Sequence, residues 1–139
     1  MRALYGLLTL VFSQLTVAEQ TTVLEDLDQL VWQHRLIVVW AEDDAQDHQR
    51  LLTADDEAIV DRDIIWFILD GDDIISNYEG ALSETLGESI KQHYRLQAGQ
   101  TILIGKDGGV KDRSDELRPS ALFDQIDLMP MRQQEMLHD

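Results

Sequence analysis

The sequence predicts an α/β sandwich, a four-stranded mixed sheet flanked by helices, and three observations carry that reading. Leu36-Ile37-Val38-Val39-Trp40 and Ile64-Ile65-Trp66-Phe67-Ile68-Leu69 are unbroken apolar runs, as expected of strands buried on both faces and covered by helices on each side. Between them, apolar residues recur at helical spacing, so the two strands are joined by a helix and run parallel. Asp107-Gly108 separates two further short strands and suits the positive φ angles of a tight hairpin, which adds an antiparallel pair.

The elements follow in order along 139 residues. Met1-Arg2 precede an uncharged stretch, Ala3 to Ala18, with an apolar centre at Leu4 to Phe12 and the small-residue end Thr16-Val17-Ala18. This predicts a secretory signal peptide over 1–18. A membrane anchor needs about 20 apolar residues, and Ser13, Gln14 and Thr16 interrupt this stretch early. The expected mature chain, 19–139, reads as one domain. It is expected in the periplasm or outside the cell, with no stable membrane insertion after cleavage.

Val23, Leu24, Leu27, Leu30 and Val31 recur at three- and four-residue spacing and predict a short amphipathic helix before the first strand. After that strand, the acidic turn Ala41 to Asp47 leads into a helix with Leu51, Leu52, Ala58 and Ile59 inside; Thr53 and Asp56 allow a break and restart. The second strand is followed by a loop, Asp70 to Asn77, and a third helix with Leu82, Leu86, Ile90 and Tyr94 inside. Thr101 to Ile104 and Val110 to Asp112 are the hairpin strands. Pro119-Ser120 opens a last helix with Leu122, Phe123, Ile126 and Met129 on its inner face, which Pro130 stops. The tail, Met131 to Asp139, is polar and shows no core role.

Composition narrows the chemistry. The net charge of −16 argues against a nucleic-acid partner. With 44% hydrophobic residues the chain is ordinary for a globular protein, so most of its acids form a solvated surface. It has no cysteine, which excludes thiol catalysis, disulfides, iron–sulfur ligation and cysteine zinc sites.

Trp40-Ala41-Glu42-Asp43-Asp44-Ala45-Gln46-Asp47 resembles the active-site stretch of thioredoxins, Trp-Ala-Glu/Pro-Trp-Cys-Gly-Pro-Cys, with Asp44 and Asp47 at the two cysteine positions. Tyr94-Arg95-Leu96-Gln97-Ala98-Gly99-Gln100-Thr101 is similar to the stretch that carries the family's cis-proline, with Gln100 in the proline's place. A thioredoxin-like sandwich implies strand order 2-1-3-4. A closer resemblance lies further on: Gly105-Lys106-Asp107-Gly108-Gly109-Val110-Lys111, Arg113-Ser114-Asp115, and Asp127 through Met136 with Met129-Pro130-Met131-Arg132-Gln133-Gln134-Glu135-Met136. These resemble an uncharacterised bacterial exported domain family, shared with animal extracellular-matrix proteins of the equarin and sushi-repeat-containing types. That resemblance implies a thioredoxin- or peroxiredoxin-like fold with no established catalysis. Ala45-Gln46 and Arg118-Pro119-Ser120-Ala121 depart from the family's pattern.

Asp44 and Asp47 stand where a helix begins, a favourable place for acids to face the dipole and cap free amides. Asp43, Asp44 and Asp47, with Glu42, are also a candidate metal site of hard oxygen ligands, with calcium the ion such ligands suit; no cofactor is otherwise predicted. Asp70-Gly71-Asp72-Asp73 begins like a calcium loop, but Ile74 and Ile75 stand where a ligand and a glycine belong. Of the histidines, His34, His48, His93 and His138, only His48 adjoins the acidic turn. The basic residues gather late: Lys106, Lys111, Arg113, Arg118 and Arg132. They either pin acids such as Asp107, Asp112, Asp115 and Glu135 or, through Lys106, Lys111, Arg113 and Arg132, form a patch for a protein or small anionic ligand. Met129, Met131 and Met136 offer an adaptable apolar surface beside it or a helix-end core. The leading expectation is a non-catalytic binding module; the alternative is a small metal-dependent protein or enzyme using Asp43 to Asp47.

Overall fold

The computed structural model describes residues 22–138, so the predicted signal and its cleavage site lie outside the described residues. A five-stranded open sheet is built from β1 (Arg35–Ala41), β2 (Ile64–Asp70), β3 (Asp73–Ser76), β4 (Thr101–Ile104) and β5 (Val110–Ser114), in the spatial order β3-β2-β1-β4-β5. β1 pairs parallel with β2 and antiparallel with β4, while the β2–β3 and β4–β5 pairs are antiparallel hairpins. The helices are α1 (Ala45–Ala54), α2 (Asp56–Asp61), α3 (Leu86–His93), α4 (Pro119–Asp127) and α5 (Pro130–Leu137).

Burial on both faces explains the unbroken apolar runs. Leu36 and Val38 of β1, with Phe67 and Leu69 of β2, face a core closed by Leu27, Leu86 and Ile90. Ile37 and Val39, with Trp66 and Ile68, face the opposite core, closed by Leu52 and Ile59 and by Leu122, Phe123 and Ile126 of α4. The two-residue alternation of a strand therefore sends neighbours to different cores, each apolar.

The sheet corrects the expected count of four strands in the order 2-1-3-4. The four expected strands stand side by side as β2-β1-β4-β5, but β3 adds a fifth at the β2 edge. Its turn, Gly71 and Asp72 between the paired Asp70 and Asp73, places Gly71 at φ 59°, a left-handed conformation that glycine adopts without strain. Asn77 then extends the edge with its side chain: Oδ1 accepts from the Trp66 N–H at 2.8 Å and Nδ2 donates to the Ile64 carbonyl at 3.2 Å.

Two helices are shorter than their periodicity suggests. In place of a helix from Val23 to Val31, Leu24 bridges to Leu82 and Leu27–Leu30 is one 3-10 turn, capped by Asp26 and Gln29. The buried residues are Leu24, Leu27 and Leu30, a three-residue interval that matches the 3-10 period. The Leu24–Leu82 bridge also takes the first turn of the predicted third helix, which starts at Leu86. The expected break in the second helix falls at Asp55, between α1 and α2. The tail is not without a core role: after Pro130 it forms α5, and Arg132 on that helix is buried.

Candidate functional site

The end of β1 meets the turn before β4. Trp40 N–H donates to the Gln100 carbonyl at 3.0 Å, and Gly99 N–H donates to the Trp40 carbonyl at 2.9 Å. The acidic turn leaves from this point. Asp44 stands at the N-cap of α1, but its side chain makes no capping bond. Its carboxylate sits 3.0 Å from His48 Nε2 and accepts the Glu42 N–H at 3.3 Å. Asp47 pairs with Arg50, and Asp43 and Glu42 are exposed. Among the described residues no three histidine or acidic side chains are grouped to hold a metal ion. Asp44 and Asp47 thus serve the start of α1 through charge and carboxylate pairing rather than through side-chain caps.

The four basic candidates fall into three settings. Arg113, on β5, donates to the Tyr94 carbonyl at 2.6 Å and to Gln100 Oε1 at 3.2 Å, fastening the turn before β4. Lys111 pairs with Asp107 at 2.7 Å across the β4–β5 hairpin. Lys106 and Arg132 enter one buried network at the other end of the sheet. Arg118, further along, pairs with Glu116 on the surface.

That network was not legible as a site in the sequence. Arg35, at the entrance to β1, is 1% exposed and binds Glu135 through both terminal nitrogens, at 3.1 and 3.2 Å, and the Arg62 carbonyl at 3.0 Å. Lys106 Nζ reaches Glu135 Oε1 at 2.6 Å and Asp63 Oδ2 at 2.9 Å. Arg132, 3% exposed, donates to Asp127 at 3.1 Å, to the Asp61 carbonyl at 2.9 Å and to its carboxylate at 2.5 Å. Arg62 donates to both oxygens of Asp127, at 3.0 and 2.8 Å, sharing Oδ1 with Arg132, and lies 4.9 Å from the Phe123 ring centre. Arg35, Arg62, Lys106 and Arg132 are thereby matched by Asp61, Asp63, Asp127 and Glu135. Three of its members, Lys106, Arg132 and Glu135, stand among the basic residues and acids picked out in the sequence; the signal left unused is Arg35, a charge at the start of an apolar strand buried on both faces.

Electrostatics follow the contacts. Hydrogen bonds from Arg62 hold the Asp127 carboxyl below its ordinary range, with Arg132 adding to the effect. Burial pushes Glu135 upward, but Arg35 and Lys106 together outweigh it, and the net shift is downward. Both acids are therefore held ionised.

Beside this network lies a groove of about 550 Å³, bordered by Arg35, Lys106 and Lys111 on one side and by Leu128, Met129 and Met131 on the other. The hairpin shapes its floor: Gly105 N–H donates to the Gly109 carbonyl at 2.9 Å, and Gly108 turns at φ 84° close to Val31. A Cβ on Gly105 would fall 2.6 Å from the Lys111 side chain, so the lysine stem lies directly over that backbone. Lys106 and Lys111 thus share a concave surface, Arg132 supports it from behind, and Arg113 lies elsewhere. Among the described residues no helix is long and apolar enough to cross a membrane.

Neither a search of curated proteins nor a search of solved structures finds a match to this chain. The family model described as a domain of unknown function, DUF4174, matches residues 26–135, from the cap of the 3-10 turn to Glu135 on α5. With four-fifths of its length inside that match, the chain belongs to the DUF4174 family.

Proposed function

We propose that this chain is a non-catalytic, exported binding module on a thioredoxin-like scaffold from which redox chemistry has been lost. The observation that carries the reading is the groove between the β4–β5 hairpin and the α4–α5 turn, where two lysines border an apolar wall. Concave, mainly apolar sites with a few converging polar groups are where small ligands and peptide segments bind. The scaffold reading draws on the parallel β1–β2 pair, the antiparallel β4–β5 edge and helices on both faces. It draws equally on Trp40-Ala41-Glu42 at a strand end with Asp44 and Asp47, not thiols, following it. Export rests on the signal-like 1–18, and the link to equarin and sushi-repeat proteins rests on the stretches that build the hairpin and α5.

The binding surface comprises Lys106 and Lys111 with the Leu128 to Met131 wall; Arg113 and Arg132 are structural supports. Its partner is a protein or a small anionic ligand. A photo-crosslinking residue at Leu128 is expected to capture a bound species in the native host, whereas one at Glu57 on α2 is not. Equal capture from both positions would remove the groove from the reading. The metal-dependent alternative at Asp43, Asp44 and Asp47 predicts a rise in melting temperature on adding calcium that a chelator reverses; we expect no shift, because those carboxylates do not converge.

A further inference from the structure

We propose that Arg35 and Lys106 form a binding site for a monocarboxylic acid with an apolar body, and that Glu135 occupies this site from within as a displaceable internal ligand. The inference deepens the groove reading above and rests on it.

Both cations are built in. Arg35 is 1% exposed and the Lys106 side chain 9%; both border the groove, and both converge on the Glu135 carboxylate, at 2.6 to 3.2 Å. Arg35 Nε is buried and has no hydrogen-bond partner among the described residues. A buried donor left unpaired is costly, so the guanidinium retains capacity for an acceptor that Glu135 does not fill.

The residue in possession is on a separable element. α5 has eight residues, is set off from α4 by Leu128-Met129, and buries Arg132 alone; Met131, Met136 and Leu137 are exposed. Withdrawing Glu135 therefore uncovers little apolar surface. Leu128, Met129 and Met131 line the same groove as Arg35 and Lys106, and that wall receives the apolar body of the ligand.

Charge selects the class. Arg35 and Lys106 face Glu135 and Asp63, a balanced set. Exchanging one carboxylate for another preserves the balance. A phosphate or a dicarboxylate brings a second negative charge next to Asp63 and Asp107, on a body of net charge −16.

The test uses octanoate, with 1-octanol as the chain without the charge and acetyl-Ala-Ala-Leu as a peptide carboxylate with an apolar end. Glu135→Gln removes the competing carboxylate and is expected to bind octanoate about tenfold more tightly than the native chain, by calorimetry. In the native chain, saturating octanoate is expected to speed amide exchange at Met131 to Leu137 relative to α4, a readout that stands even where the variant folds poorly. Equal affinity in both chains for octanoate and for the peptide, or unchanged exchange on α5, would overturn the proposal. If octanol binds as well as octanoate, the carboxylate site fails while the groove survives; octanoate or the peptide binding more tightly to Glu135→Gln than to the native chain supports the site, and the tighter of the two assigns its source as a free acid or a peptide C-terminus.

Discussion

Arg132 and Arg113 show how one residue type takes opposite roles. Both are arginines in a basic-rich stretch, yet Arg132 is buried against Asp61 and Asp127 while Arg113 braces two backbone carbonyls from an exposed position. Arg132→Ala is expected to lower stability by about 3 kcal/mol, since charge-assisted bonds and a buried stem are lost together. Arg113→Ala should cost about 1 kcal/mol. Urea unfolding midpoints compare the two, and equal losses would refute the distinction. Asp127 and Glu135 fix the pH dependence. Their folded pKa values lie below the ordinary 3.8 and 4.5, so the stability they contribute is fully present above that range and is lost as pH falls through the lower folded values. The urea midpoint is expected to hold level from neutral pH to about 5 and to decline below about 4. Asp127→Asn should lower the plateau and flatten part of the decline, and an unaltered slope would place the acid sensitivity elsewhere. At the alkaline end, burial, with Asp28 and Asp26 nearby, pushes the Tyr94 hydroxyl up to about 12. Here the neutral form is favoured by folding, so this contribution fades as pH climbs from about 10 toward 12.

β1, β2 and β4 and the helices α1, α3 and α4 are legible because their signal is the pattern of apolar residues, which reports what is buried, and β5 follows from the Asp107-Gly108 turn. The apolar pattern is blind to α5. The inner positions of that helix are Arg132 and Glu135, three apart and both charged, while its Met131, Met136 and Leu137 point outward, so Met131 to Asp139 reads as a polar tail. The same blindness hid the site as a whole: its core is an ion-pair network drawn from six separate elements and turns, and no local spacing announces it. β3 was missed for another reason. Asp70-Gly71 carries the same turn signal as Asp107-Gly108, but acids clustered around a glycine also resemble a calcium loop, and the pairing depends on Asn77 mimicking backbone at the sheet edge. Since α5 is held by charge, removing it has a defined consequence. A chain ending at Met129 leaves Arg35 with the Arg62 carbonyl alone, a buried cation without its carboxylate, and is expected to lose about 3–5 kcal/mol. In that shortened chain Arg35→Met should raise stability, whereas in the full chain it should lower it. The same sign in both would mean that α5 contributes something other than a counter-charge.

At the scale of the whole molecule two electrostatic effects oppose one another, and salt separates them. The 27 acidic residues outnumber the 11 basic ones, and acids such as Glu42, Asp43, Asp55, Asp56 and Glu57 stand exposed, so the surface repels itself. Where Asp56 and Glu57 begin α2 the helix dipole offsets part of this locally, but the long-range repulsion remains. Against it stands the network around Arg35 and Arg132, whose attraction holds α5 in place. Raising NaCl from about 0.02 to about 0.5 M shortens the screening length from about 20 Å to about 4 Å. Charges spread over the surface lie beyond the shorter distance, while the ion pairs, at 2.5 to 3.1 Å and partly shielded from solvent, lie within it. Salt should therefore relieve the repulsion more than it weakens the network, and the melting temperature is expected to rise by about 3–6 °C, equivalent to about 1 kcal/mol for a domain of this size. Chloride serves better than sulfate here, because sulfate also strengthens apolar burial. In the chain ending at Met129 the rise should be larger, since less of the opposing attraction is left to weaken. A fall in melting temperature with NaCl in the full chain would show that the buried network, not the acidic surface, governs its stability.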